Sequence, residues 1–415
     1  MHTVKDSVHD HIEVEGVAAA LLDTPAVQRL RRIKQLGTVS LVYPSANHTR
    51  FEHSLGVYHL ASQALAHLGI DGPRAERVRA AAILHDIGHG PYSHNVEDLI
   101  HRRTGKYHDD VAGLVETEPI AGVLDDHGLD PARVTALVTG EDELGQLVAG
   151  ELDVDRMDYL VRDAHHTGVP YGTIDTGRLV RELTFIDGRL VLKEGNVQTA
   201  ESLLLARALM NPTVYSHHVA RISKAMLRRA SERLLETGDV TGEQLRRMDD
   251  YELLVRLRGH DASRALADRL ADRDLYKRAV WAELDDVAED VFDPEEPLFD
   301  PDHETVRAFE DDIAADAGVE SEHVVLDVQG QPSMRESTTG VLVNGEIRRL
   351  DEQSTLVRAL QMAQREQWRL GVYAPDDLTE PVGRAAERVL GLDVDGALVS
   401  ETTTGEYASL DDYNE

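Results

Sequence analysis

Nine of the 20 histidines fall between residues 48 and 108, and the densest run is His85-Asp86-Ile87-Gly88-His89-Gly90-Pro91-Tyr92-Ser93-His94. A His followed directly by an Asp can offer an imidazole nitrogen and a carboxylate oxygen to one cation. Neighbours on a regular helix point about 100° apart, so both reach one ion only near a helix end or with a second metal. Gly88 and Gly90 supply that irregularity. His53, in TRFEHSLGVYHLA, opens a helical pattern, and a buried His at such a place is by itself more often a hydrogen-bonded core residue than a ligand. The segment ELDVDRMDYLVRDAHHTG (151–168) sets Asp153, Asp155, Asp158 and Asp163 among apolar Leu152, Val154, Met157, Leu160 and Val161. Carboxylates between core residues are costly to bury unless paired or coordinated. With no cysteine in the chain, a transition metal must be held by His and carboxylate, a donor set open to Fe, Mn, Zn, Ni, Co or Mg.

These residues must be positioned by helices. Apolar residues recur at helical spacing over 17–36, where Asp23-Thr24-Pro25 starts a second helix, over 51–69 and over 74–87. Further helical patterns cover 109–127, 131–139, 144–163, 196–211 and 214–237, and TFIDGRLVLKE (184–194) reads as a hairpin with an Asp-Gly turn. The Pro-containing acidic stretch 285–303 marks a domain edge. Beyond it come a helix over 303–317, strands over 322–328 and 340–350 with an Asn-Gly turn, a helix over 353–370 and a strand at WRLGVY. The expected architecture is mainly α. A helical domain with short β insertions fills 1–290, its motifs at 48–168 and a helical extension to about 280. A smaller α+β appendage with an acidic C-terminal tail fills 300–415.

The 43 basic residues (6 Lys, 37 Arg) face 76 acidic ones, a net charge of −33. Such a field argues against sequence-independent nucleic-acid binding through phosphate neutralisation. The Lys-poor, acid-rich make-up is the one expected of a halophilic protein kept soluble in concentrated salt, the alternative being an ordinary acidic protein of a high-GC organism, which also favours Arg over Lys. The N-terminus, MHTVKDSVHD, lacks a basic-then-apolar signal, and no window reaches eighteen consecutive apolar residues. Neither secretion nor membrane spanning is expected, and a cytoplasmic location is.

The order His…His-Asp…Asp, with spacings of 32 and 69 residues, resembles the HD-domain metal-dependent phosphohydrolases. RLRRIKQLG, YPSANHTRFEHSLGVYHLA, HDIGHGPYSH, DVDRMDYLVRDAHHTG and VYSHHV are similar, in order and wording, to the SAM-and-HD-domain deoxynucleoside triphosphate triphosphohydrolases. The resemblance spans residues 1–235 strongly and continues more weakly to RDLYKRAV (273–280). It implies an HD-domain helical core holding one divalent metal on His53, His85, Asp86 and Asp155. It implies catalytic roles for His108 with Asp109, where relatives carry Glu, and for His89 and His94. Arg50, Arg156 (Lys in relatives) and Arg207 match positions that bind the triphosphate. Tyr159 and Asp163 match residues near the phosphates and sugar, Gln35 and Leu36 match contacts to the 3′-hydroxyl, and Tyr215 matches the ring that disfavours ribose. Asn211 stands where relatives show His.

The same resemblance implies an activating nucleotide, GTP or a dNTP, and assembly into dimers or tetramers. Asp23, Gln28 and Arg31 match the guanine-reading positions, and Lys5 stands where relatives have Asn. The implied reaction is hydrolysis of a dNTP to deoxynucleoside and inorganic triphosphate, the metal polarising a phosphoryl oxygen and lowering the pKa of bound water. The alternatives are a nucleotidase acting on monophosphates or another phosphoester, and a catalytically silent nucleotide sensor.

Overall fold

The computed structural model describes residues 2–287, 301–330 and 334–392. The acidic tail expected at the C-terminus (393–415) and most of the Pro-containing stretch (288–300) lie outside the described residues. The chain divides into two compact units, Met1–Leu275 with Ser333–Gln364, and Tyr276–Pro332 with Arg365–Glu415. The linear split expected near 290–300 is thereby replaced, because 333–364 returns to the first unit through strand pairing.

The first unit is mainly α. It opens with an unforeseen hairpin, β1 (His2–Asp6) and β2 (Asp10–Val14), whose strands of five residues carry little apolar alternation beyond the buried Ile12 and Val14. Four helices carry most of the candidate chemistry: α1 (Arg50–Leu68), α2 (Gly72–Leu84), α3 (Glu97–Thr104) and α4 (Val154–Thr167). The start of α1 is set by a capping box in which the Glu52 carboxylate accepts from the Thr49 backbone N–H at 2.6 Å. Asp153 caps α4, accepting from the Arg156 N–H at 2.8 Å, so Asp155 falls in the first turn. The helix expected over 144–163 is consequently broken at 150–153, and the one over 109–127 is broken around Pro119.

The Asp-Gly hairpin forms as read, with β3 (Leu183–Ile186) and β4 (Arg189–Leu192) joined through Asp187 and Gly188, both at positive φ. Helix α5 (Val197–Met210) runs into a π-helical turn at Asn211–Tyr215, and α6 (His218–Glu236) follows. The Asn-Gly hairpin, β5 (Gly340–Val343) and β6 (Glu346–Arg349), adds to β4 in parallel at Leu192 and Val341, making one four-stranded sheet.

The second unit has its own core. Three antiparallel strands, Lys277–Ala282, Leu370–Ala374 and Val325–Val328 in that spatial order, pack with helices His303–Ala317 and Thr379–Leu390 around Trp368, Val372 and Ala385. No described helix is long and apolar enough to cross a membrane.

Candidate active site

His53 from α1, His85 and Asp86 from the end of α2, and Asp155 from the first turn of α4 converge. His53 Nε2 lies 2.7 Å from Asp155 Oδ1, 3.4 Å from His85 Nε2 and 3.8 Å from Asp86 Oδ2. His85 Nε2 is 3.5 Å from Asp86 Oδ1 and 3.9 Å from Asp155 Oδ1. Both rings are oriented from behind. His85 Nδ1 faces the Ala82 carbonyl at 2.9 Å, and since a carbonyl only accepts, that nitrogen carries the proton and Nε2 keeps its lone pair. His53 Nδ1 donates to Asp158 Oδ2 at 2.8 Å, which leaves Nε2 as the nitrogen turned toward Asp155 and His85. Two imidazoles whose Nδ1–H groups are already bonded, with Nε2 atoms that deprotonated could each ligate a cation, and two carboxylates beside them form a donor set that suits a divalent metal.

Without a bound cation the carboxylates act on the rings. Burial opposes charge on His53, but Asp155, Asp158 and Asp86 outweigh it and raise its pKa to about 10. Burial equally opposes the Asp86 carboxylate, yet Arg50, His85 and His89 hold its pKa well below the usual range.

The Asp158 carboxylate has no solvent exposure. It accepts from His53, from Arg162 Nε and Nη2 at 2.9 and 3.0 Å, and pairs with His9 Nε2 at 2.6 Å. Arg162 in turn binds Asp6 at 2.8 Å, so the β1–β2 hairpin reaches the support of a candidate ligand. Gly56 makes room for this, since a Cβ there would sit 1.8 Å from Asp158 Oδ1.

Beside the four groups stands a second cluster. His89 and His108 stack at 4.2 Å with 9° between their planes, and His94 meets both edge-on. Glu97 at the start of α3 clasps two of them. Its Oε2 lies 2.6 Å from His94 Nδ1, and its Oε1 meets His108 Nδ1 and accepts the His108 backbone N–H at 3.1 Å. The Gly88 position lets the 108 loop approach, because a Cβ there would lie 1.9 Å from the His108 carbonyl oxygen. Desolvation works against a charged His108, but Glu97 outweighs it and raises the pKa. Burial, with Arg50 and His108 nearby, drives His89 well below its usual value, so His89 is the neutral ring of the stack.

The carboxylate on His108 is therefore Glu97 and not Asp109, which is exposed. That expectation came from the resemblance, in which an acid directly follows the histidine. The structure pairs His108 across 11 residues instead, and the available signal was Glu97 standing three residues after His94.

The remaining candidates divide. Arg50 is buried and its guanidinium binds both Asp86 oxygens at 3.0 Å and Ser93 Oγ at 2.9 Å. Asp163 accepts from the Tyr215 hydroxyl at 2.9 Å and pairs with His48 Nε2 at 2.7 Å. Desolvation and the Asp163 charge push the Tyr215 phenol well above its ordinary pKa, so it stays a donor. Tyr159 stands edge-on between His53 and Tyr215, at 6.5 and 6.3 Å. Gln35 is buried with its Oε1 unpartnered among the described residues, and Leu36 beside it is half-buried. Arg156 and Arg207 are brought together by a residue no motif pointed to, Glu336. Its buried carboxylate pairs with Arg156 Nη2 at 2.9 Å and with Arg207 Nη1.

Asp23, Gln28 and Arg31 do not share one helix. Asp23 ends helix Gly16–Leu22, Gln28 lies in Pro25–Arg29 and Arg31 in the 3-10 turn after it. Arg31 Nε donates to Gln28 Oε1 at 2.9 Å and its guanidinium covers the Phe51 ring at 3.5 Å. Lys5 on β1 pairs with Asp10.

Comparison with known proteins places this geometry. Residues 50–163 match the HD domain and residues 174–401 match the HD associated region. An uncharacterized protein of Methanocaldococcus jannaschii is 32% identical over 385 residues, 91% of this chain and 80% of that one. A deoxynucleoside triphosphate triphosphohydrolase SAMHD1 homolog of Dictyostelium discoideum is 29% identical over 340 residues, 69% of this chain and 63% of that protein. The crystal structure of a phosphohydrolase from Bacteroides thetaiotaomicron superposes with a TM-score of 0.71 at 26% identity, over 90% of this chain and all of that one.

Proposed function

The chain belongs to the HD-domain family of phosphohydrolases, and from that premise we propose that it hydrolyses a deoxynucleoside triphosphate to deoxynucleoside and inorganic triphosphate. The observation that carries the reading is the meeting of His53, His85, Asp86 and Asp155 beside a histidine wall fixed by Glu97. Similarity to the triphosphohydrolase homolog supports the substrate class.

The four groups would hold the metal, which supplies a polarised phosphoryl oxygen and an activated water. His108, kept protonated by Glu97, donates to the leaving 5′-oxygen. Neutral His89 and its neighbour His94 face the same phosphate. Arg156 and Arg207 bind the polyphosphate, while Tyr215, held on Asp163, packs against the sugar, with Tyr159, Gln35 and Leu36 around it. Arg50 acts by holding Asp86 ionised and oriented.

Replacing His85 and Asp86 together by Ala is expected to abolish bound metal, by elemental analysis, along with turnover. Full activity in a metal-free double variant would refute the reading. The released product tests the substrate: inorganic triphosphate supports it, whereas orthophosphate supports a second reading, a monophosphate nucleotidase. One observation favours that second reading, since Glu336 already neutralises part of the charge of Arg156 and Arg207. A nucleotide activator at Asp23, Gln28 and Arg31 completes the proposal. Sedimentation with and without GTP checks it, and an unchanged oligomer size would remove it.

A further inference from the structure

Glu336 is an unusual residue to find between the two arginines. It is 1% exposed, whereas most acids among the described residues are not buried. Its carboxylate lies 3.0 Å from Arg156 Nε and 2.9 Å from Arg156 Nη2, a two-pronged contact, while its second oxygen meets Arg207 Nη1. Arg156 lies 180 residues away in sequence. The carboxylate is delivered by a single 3-10 turn, Arg335–Thr338, just before β5.

Two guanidinium groups brought side by side repel one another unless an anion lies between them. Carboxylate and phosphate are the two anions whose geometry suits the planar fork, and phosphate brings more charge and more acceptor oxygens. A buried carboxylate facing groups suited to phosphate is therefore a competitor for the same donors. Arg156 would keep its place without it, because its Nη1 also donates to the Gly150 carbonyl at 2.6 Å and to Asp153 Oδ2 at 2.7 Å. The turn carrying Glu336 is tied by its own polar contacts. Thr339 Oγ1 donates to the Glu336 carbonyl at 2.7 Å, and Gln361 Nε2 donates to Ser337 Oγ at 2.7 Å.

We propose that Glu336 is the resting occupant of the polyphosphate subsite and that a substrate binds there by displacing it. This rests on the reading of Arg156 and Arg207 as polyphosphate ligands. Its consequence bears on selectivity for chain length. A triphosphate must displace the carboxylate to engage both arginines, whereas a monophosphate bound only at the metal need not, so Glu336 reduces the advantage of the longer chain. Glu336 thereby acts on substrate choice without touching the reacting atoms.

The test is the isosteric variant Glu336→Gln, compared with the wild type by calorimetric titration with inorganic tripolyphosphate, Mg²⁺ in excess, and by steady-state kinetics with dNTPs. Removing the competing charge is expected to tighten tripolyphosphate binding about ten-fold, the scale of one charge-assisted hydrogen bond, and to lower KM for dNTPs in step with little change in kcat. Unchanged or weaker tripolyphosphate binding overturns the proposal and leaves Glu336 as a structural brace for the arginines. Tighter binding without dNTP cleavage in either protein keeps the subsite and defeats the triphosphohydrolase reading. Cleavage of dNTPs with binding unmoved by the substitution does the reverse, and absence of both defeats the two together. Gln361→Ala, which loosens the turn but keeps the carboxylate, is expected to shift binding in the same direction by a smaller factor. Should Glu336→Gln fail to fold, the sign of the Gln361→Ala effect decides.

Discussion

At the scale of single residues, the site depends on which nitrogen of each histidine is already bonded. His53 and His85 can face a metal through Nε2 because Asp158 and the Ala82 carbonyl hold their Nδ1–H groups. For His108 the partner is Glu97, and a pH effect follows. A general acid works while protonated, so the rate falls as pH rises through the raised His108 value. In Glu97→Gln that support is gone, and the alkaline limb of kcat/KM is expected to move to lower pH, with a loss of about 100-fold near neutrality. A pH–rate profile checks this, and an unmoved limb would assign the acid to another group. The corresponding Asp109→Asn change is expected to leave the profile where it is. His85-Asp86 was legible from sequence because its two donors are adjacent, and His53 and Asp155 from the resemblance. Glu97 was overlooked because the acid next to His108 in sequence is Asp109.

At the scale of elements, the helices act as rigid arms whose relative placement fixes the distances. Helices α1 and α4 come close enough for His53 to meet both Asp155 and Asp158 only because Gly56 has no side chain. Gly56→Ala, neutral or favourable for an isolated helix, is therefore expected to destabilise the protein by about 1–3 kcal/mol through overpacking and to lower metal occupancy. Thermal melts with elemental analysis read both quantities, and a variant as stable and as metal-loaded as the wild type would contradict the packing argument. The β1–β2 hairpin joins the same arm through His9 and Asp6. Its short, largely exposed strands gave no period that could be read in advance, whereas the Asp-Gly and Asn-Gly hairpins were plain from their turn residues, which suit positive φ.

At the scale of the whole molecule, the charge of −33 sets conditions rather than chemistry. The charges used at the site are locally balanced: Asp86 by Arg50, Asp158 by Arg162, Glu336 by Arg156 and Arg207. Much of the remainder repels across the surface, over a distance that falls from about 8 Å at physiological ionic strength to about 3 Å at 1 M. We expect the melting temperature to rise by about 5 °C or more between 0.15 and 1 M KCl on the scale set by these lengths, measured by differential scanning fluorimetry. A fall over that range would remove the halophile expectation and leave the site chemistry untouched.

The sequence by itself determined the helical character and the turns, and marked His85-Asp86 as a candidate donor pair, because periodicity, turn residues and adjacent side chains are local properties of a chain. Tertiary structure alone decided which carboxylate serves which ring and which anion sits between the arginines. Asp158 behind His53, Glu97 against His108 and Glu336 between Arg156 and Arg207 are pairings over 105, 11 and 180 or fewer residues. In a chain with 76 acids, local sequence leaves every arginine and histidine many possible partners. Burial selects among them, since a carboxylate removed from water must find a cation or a hydrogen-bond donor within reach.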